Sequence, residues 1–201
     1  MFVTLGRPSD DKLARLLEDV RATPLTYTEH GRTLARTGGL PPGYHHVRAT
    51  RDIGSGETAW RAACDGIRTW QLHRGSGLRI APADPPLAVG TEVVTDVALA
   101  GPVHILAACR VVEVVDEPGR FGFAYGTLAV HPEQGEEAFV VARTDDDRVR
   151  LTVTAFSRGN GLLMRVGGPI ARRQQALATT AYLDALERHV EAAVSRGPSG
   201  S

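Results

Sequence analysis

The chain has 201 residues, 42% of them hydrophobic, and its 23 acidic side chains balance 23 basic ones. Apolar content on this scale fills a core and excludes a disordered composition. The even charge balance excludes a global field that would recruit nucleic acid or an anionic membrane surface.

The start, MFVTLGRPSDDKLARLL, has no basic segment leading into an apolar run, so it does not read as a secretory leader. No window is apolar for long enough to span a bilayer. Residues 9 to 21 predict a helix: Ser9 suits its cap, Asp10 and Asp11 its first turn, and Leu13, Leu16, Leu17 and Val20 form one stripe. Lys12, at the start of this helix, is the sole lysine beside 22 arginines, so imine chemistry is not expected. A loop-rich stretch broken by TGGLPPG runs to about residue 43, and YHHVRATRDIG then reads as a strand. A second helix follows, with Ser55 as its cap and Trp60, Ala63, Cys64, Ile67 and Trp70 at helical spacing, which makes both tryptophans core or cavity wall. Cys64 and Cys109 sit in no metal-type spacing and read as buried thiols of a reducing compartment. The expectation is a soluble, cytoplasmic protein.

Residues 73 to 90, rich in Gly and Pro, predict loops with a short strand, and HRGSG at 73 to 77 carries no further mark. The period then changes to two. Val93, Thr95, Val97 and Leu99 share a face, and VHILAACRVVEVVDE, RFGFAYGTLAV, EEAFVVART and RVRLTVTAFS follow across DEPG, HPEQG and DDD turns. These are about five consecutive antiparallel strands, because the turns are too short for crossovers. A long helix over 170 to 194, with Pro169 at its start, closes the chain, and RGPSGS reads as a disordered tail.

The fold class expected is α+β, with a curved antiparallel sheet gripping the long C-terminal helix and an extra N-terminal helix. This is the helix-grip, or START-like (SRPBCC), plan. It forms a single domain over residues 1–195, with 1–43 as an N-terminal extension and 196–201 as the tail. A cavity between helix and sheet is its default binding site, although the fold does not set the chemistry.

FAYGTLAVHPEQGEEAF at 123 to 139, TAFSR, GGPIARRQ and AYLDAL, together with LTYTEHGRT, GYHHVRATRDIGSG and Thr69-Trp70, resemble the domain-of-unknown-function family nineteen-ninety over nearly the whole chain. The resemblance is compatible with the helix-grip plan and implies no catalytic residues.

Within FAYGTLAVHPEQGEEAF, strand alternation puts Phe123, Tyr125, Thr127 and Ala129 on one face with Glu137, Phe139 and Val141. Glu136 then points to the opposite side from Glu137, so the two cannot form a close glycosidase-type pair. Pro132 and Gly135 shape the turn, where His131 and the glutamates either bond its backbone or form a polar rim that touches a ligand. His131 with Glu137 or Tyr125 is the candidate acid/base set for a cyclase, hydratase or hydrolase. His45, His46 and His104 have no spacing that selects them as metal ligands, and neither a metal nor a cofactor is implied.

From Arg148 to Thr180 there is no acidic residue, while Arg148, Arg150, Arg158, Arg165, Arg172 and Arg173 are present. Arg172 and Arg173 near the start of the last helix suggest a seat for an anionic head group, or else a solvated basic patch balanced by Asp145, Asp146 and Asp147. The leading functional expectation is a protein that binds a small apolar or amphipathic molecule in the cavity. Tyr125, Thr127, Phe139, Arg172, Arg173 and Tyr182 would touch it. An enzyme in the same cavity and a scaffold with a collapsed cavity are the alternatives. Neither nucleic acid nor membrane insertion is expected, and the oligomeric state stays open.

Overall fold

Each apolar period of the sequence meets a partner surface in the computed structural model, which describes residues 3–35, 37–99, 101–160 and 168–197. In chain order the elements are β1 (Val3–Leu5), α1 (Asp10–Val20), β2 (His45–Ser55), α2 (Gly56–Arg68), α3 (Gln71–Gly75), β3 (Arg79–Ala81), β4 (Glu92–Ala98), β5 (Val103–Glu117), β6 (Arg120–Thr127), β7 (Glu133–Arg143), β8 (Arg148–Gly159) and α4 (Gly168–Ser195). The sheet order is β2-β8-β7-β6-β5-β4-β3, antiparallel throughout, with β1 added against Val103–Ile105 of β5. The chain enters at one edge with β2 and crosses by α2 and α3 to the other edge. It then meanders back until β8 lies beside β2. That route leaves α2, α3 and α4 on one face, and α1 packs on the other.

The concave face carries Val93, Cys109, Val111, Phe121, Phe123, Phe139, Val141, Leu151 and Val153, packed against Ile67 and Trp70 and against Leu183, Leu186 and Val190 of α4. The convex face carries Val94, Leu106, Ala108 and Leu128 under the Leu13–Val20 stripe of α1. Ser9 caps α1 through its side chain, which accepts the Lys12 N–H. Ser55 occupies the N-cap of α2 without a side-chain cap bond. α4 is fastened to β2 by Arg51, which donates to Asp184 at 2.5 Å and to Glu187 at 2.7 Å. Close approach of α4 to α2 depends on Gly66, where a Cβ would lie 2.5 Å from Leu186 Cδ1. No helix among the described residues is long and apolar enough to cross a membrane.

Three sequence expectations change. β1 was not anticipated. The HRGSG loop is a helical turn, α3, with His73 fully buried. Its phase is reset by Trp70, which adopts a left-handed conformation (φ 60°) between α2 and α3. For a bulky residue this conformation costs about 1–2 kcal/mol. Burial of the ring offsets the cost, as does its indole N–H, which donates to Pro85 O at 3.1 Å. Finally, the last helix begins at Gly168 rather than at residue 170, so Arg172 and Arg173 fall in its second turn. The tail beyond Gly197 and Arg165 lie outside the described residues.

Candidate functional site

Strand register decides which side chains meet. Tyr125 stands opposite Glu137 and Phe123 opposite Phe139 across β6 and β7. Glu137 stands opposite Ala155 of β8. This concave row lies beneath α4, and Tyr182 of that helix sets its ring edge-on to Phe139, 5.2 Å between centroids. The ring of His73 from α3 completes the group, 4.9 Å from Phe139 and 5.1 Å from Tyr182.

Tyr125 Oη donates to Glu137 Oε2 at 2.9 Å, and His73 Nε2 lies 3.3 Å from the same Oη. A phenol has one proton and here gives it to the carboxylate, so the imidazole is the donor at the second contact. With Glu137 ionised, His73 therefore carries its proton on Nε2. Its Nδ1, buried without a partner among the described residues, is left as a bare lone pair. Burial lowers His73 to about 3, which keeps the ring neutral.

Burial also pushes Glu137 up to about 7; the Tyr125 hydrogen bond opposes the rise and the charge of Glu133 adds to it. Burial and then the Glu137 charge raise both Tyr125 and Tyr182, so the phenols stay protonated donors. Farther along β7, burial raises Glu133, and the Ser157 hydroxyl and His45 oppose the shift. Ser157 Oγ in turn accepts Gln175 Nε2 of α4 at 3.0 Å. Glu137 keeps part of its surface accessible, although Ala138 and Phe139 beside it on β7 have none and Tyr125 and Ala155 across from it are buried.

Adjacent Glu136 meets the opposite environment. It is 3% exposed on the convex face. It accepts Tyr27 Oη at 2.8 Å, Gly31 N–H at 2.7 Å, Thr33 N–H at 2.9 Å and Thr33 Oγ1 at 2.5 Å. The loop of residues 23–44 is thereby strapped to the sheet. Gly126 makes room for it: a Cβ there would lie 2.3 Å from Tyr27 Oη. Both the Gly of YGTL and the first Glu of GEE thus serve the strap.

The other residues singled out from sequence divide clearly. Glu137, Tyr125, Phe139 and Tyr182 come together. His131 does not join them: its Nδ1 accepts the Glu133 N–H at 2.9 Å, and burial lowers it to about 4. It shapes the turn. The Thr127 hydroxyl is engaged as well, accepting Gly135 N–H at 3.0 Å and lying 2.5 Å from the Thr26 hydroxyl. Arg173 is exposed on α4, and the side chain of Arg172 lies outside the described residues. Arg148 and Arg150 both hold Asp52, at 3.1 and 2.6 Å. Arg158 lies over the Tyr44 ring. Cys109 beside the site has its thiol pushed up by burial. His73 is the member that sequence reasoning missed.

A family model described as "Domain of unknown function (DUF1990)" matches residues 26–185. A relative from Deinococcus radiodurans described as a UPF0548 protein is 32% identical, covering 94% of this chain and 98% of its own length. Another UPF0548 protein, from Arabidopsis thaliana, is 22% identical over 96% of this chain and 99% of its own. Among solved structures, the hypothetical protein jhp0584 from Helicobacter pylori superposes with a TM-score of 0.54 at 15% identity, covering 74% of this chain and 90% of that one. The Zhui aromatase/cyclase from Streptomyces sp. R1128 gives 0.51 at 17% identity, covering 79% and 99%. These structural likenesses establish the helix-grip fold and nothing about chemistry.

Proposed function

The chain belongs to the DUF1990 family, and from that premise and the geometry above we propose that it binds a small apolar or amphipathic molecule between the sheet and α4, with the polar end of the molecule at Tyr125 and Glu137. The observation that carries this reading is the accessible surface of Glu137, a carboxyl in the middle of an otherwise closed aromatic floor. A protein built only for stability would fill that space with apolar atoms, since a buried carboxyl with one donor costs folding free energy. The side chains at the polar end accept and donate hydrogen bonds, and none of the described ones there is a cation. A neutral, hydrogen-bonding head group therefore fits this end better than the anionic one expected from Arg172 and Arg173.

Native mass spectrometry of the purified protein, followed by solvent extraction, tests the reading. The expected result is an adduct of a few hundred daltons that disappears in Phe139→Arg, a variant whose fold is checked by circular dichroism. A protein of bare mass that also fails to bind any of a set of small aromatic ketones and phenols would refute it.

A further inference from the structure

The floor of the grip holds a carboxyl, a phenol and an imidazole in one hydrogen-bonded line, Glu137 Oε2 to Tyr125 Oη to His73 Nε2. Structural networks in cores are closed: each polar atom finds its partners and stays dry. This one is open at Glu137, which keeps accessible surface, and it is unfinished at His73 Nδ1.

Its chemistry is narrow. The neighbouring thiol, Cys109, is held protonated by burial, and the Ser157 hydroxyl is engaged by Gln175. Neither serves as an activated nucleophile. What remains is a group that takes or gives a proton and, touching it, a hydroxyl that stabilises negative charge on oxygen.

We propose that Glu137 and Tyr125 form a proton-transfer site for an enolisable carbonyl compound with an apolar body. The proposal rests on the binding reading above. The substrate carbonyl oxygen takes the Tyr125 O–H away from Glu137. Polarisation of the carbonyl is one effect of this exchange. It also removes the hydrogen bond that holds the Glu137 pKa down, so the carboxylate becomes a stronger base as the substrate docks. Glu137 then takes a proton from the carbon next to the carbonyl. The C–H electron pair becomes the C=C bond of an enolate, and the carbonyl π pair moves onto the oxygen held by Tyr125. Return of the proton from Glu137 to a conjugated carbon completes an isomerisation, and return to the same carbon after the Glu137 carboxyl has traded its proton with solvent completes an exchange. No atom is gained or lost and no electron leaves the substrate, so the step needs no further reactant. His73 acts as a positioning residue: its Nε2–H holds Tyr125 Oη, and its neutral ring adds no charge. Glu133 on β7, Cys109 on β5 and Tyr182 on α4 are the other titratable groups facing Glu137, and none offers a cation.

The experiment uses the full chain with 2-tetralone, 2-indanone and cyclohexanone in deuterated buffer. Proton NMR follows loss of the hydrogens next to the carbonyl, and saturation-transfer NMR reports binding separately. The expected result is exchange of at least one bound ketone about 100-fold or more above buffer, rising with pH through a midpoint near neutrality. Glu137→Gln abolishes that exchange while the ketone still binds. Tyr125→Phe lowers it by about 10-fold or more and moves the midpoint to higher pH, because the hydrogen bond that lowers Glu137 is gone, and circular dichroism confirms that both variants fold. Ketone that binds but exchanges no faster than with Glu137→Gln overturns the proton-transfer site and leaves the binding reading intact. Failure of every ketone to bind, together with a bare mass in the native spectrum, overturns both.

Discussion

Glu136 and Glu137 are chain neighbours with the same side chain, and the pleat sends them to different fates. Glu136 faces the convex strap and is closed by four donors from Tyr27, Gly31 and Thr33. Glu137 faces the grip with one donor, Tyr125, and part of its surface open. A carboxylate with all its lone pairs occupied is a fastener. One buried with a single bond is held near neutrality between two protonation states, which suits it to titrate or to meet a ligand. Partner count therefore separates these two carboxyls better than burial does.

Removing the fastener has the largest effect expected. Glu136→Ala strands two backbone N–H groups and two hydroxyls beneath the strap, at a cost of about 3–5 kcal/mol. In thermal unfolding this appears as a fall of roughly 10 °C or more. A loss below about 1 kcal/mol would mean that the clamp is ornamental and the comparison with Glu137 empty.

Glu137→Gln has the opposite sign and depends on pH. Its folded pKa is raised, from 4.5 to about 7. The stability this carboxyl contributes is whole below about pH 4.5 and is lost as pH rises through 7. The loss is about 3 kcal/mol by pH 8, and glutamine does not suffer it. The melting temperature of the variant should therefore gain on the parent between pH 5 and pH 8. Equal slopes for the two proteins would show that Glu137 titrates normally. Gly126→Ala comes next, at about 2 kcal/mol, because a methyl group there meets Tyr27 Oη and loosens the same strap that Glu136 holds. Limited proteolysis within 23–44 should accelerate in this variant, and unchanged cleavage would place the strap's anchor elsewhere.

Much of this geometry was legible in the chain. Period-two alternation set the β4–β8 meander and, through it, the opposite orientations of Glu136 and Glu137. The long helix read over 170 to 194 put Tyr182 at the junction of helix and sheet. What could not be read depends on single backbone torsions and long-range contacts. His73 follows Trp70, whose left-handed conformation breaks the helical count, so no periodic pattern carries from Ile67 to His73. The partners of Glu136 lie more than 100 residues away, in a loop whose sequence TYTEHGRT has no period at all. His131 drew attention as a histidine beside acidic residues, yet its nearest donor is the backbone of its own turn, two residues on. In a tight turn that local bond forms more easily than any pairing across the sheet.

The smallest effect tests why Glu137 is shifted. Burial is the main cause and the charge of Glu133, four residues earlier on β7, is a lesser one. Glu133→Gln removes that charge and leaves the floor of Phe139, Tyr125 and Tyr182 untouched. The Glu137 midpoint, followed by carbon-13 NMR of its carboxyl, should then move only slightly downward and stay well above the ordinary glutamate range. A return to 4.5 would make the pair of carboxylates, rather than the apolar surroundings, the origin of the shift. Glu137 would then be one half of an acidic couple, and its contrast with Glu136 would come from a neighbouring charge instead of from unmet hydrogen bonds.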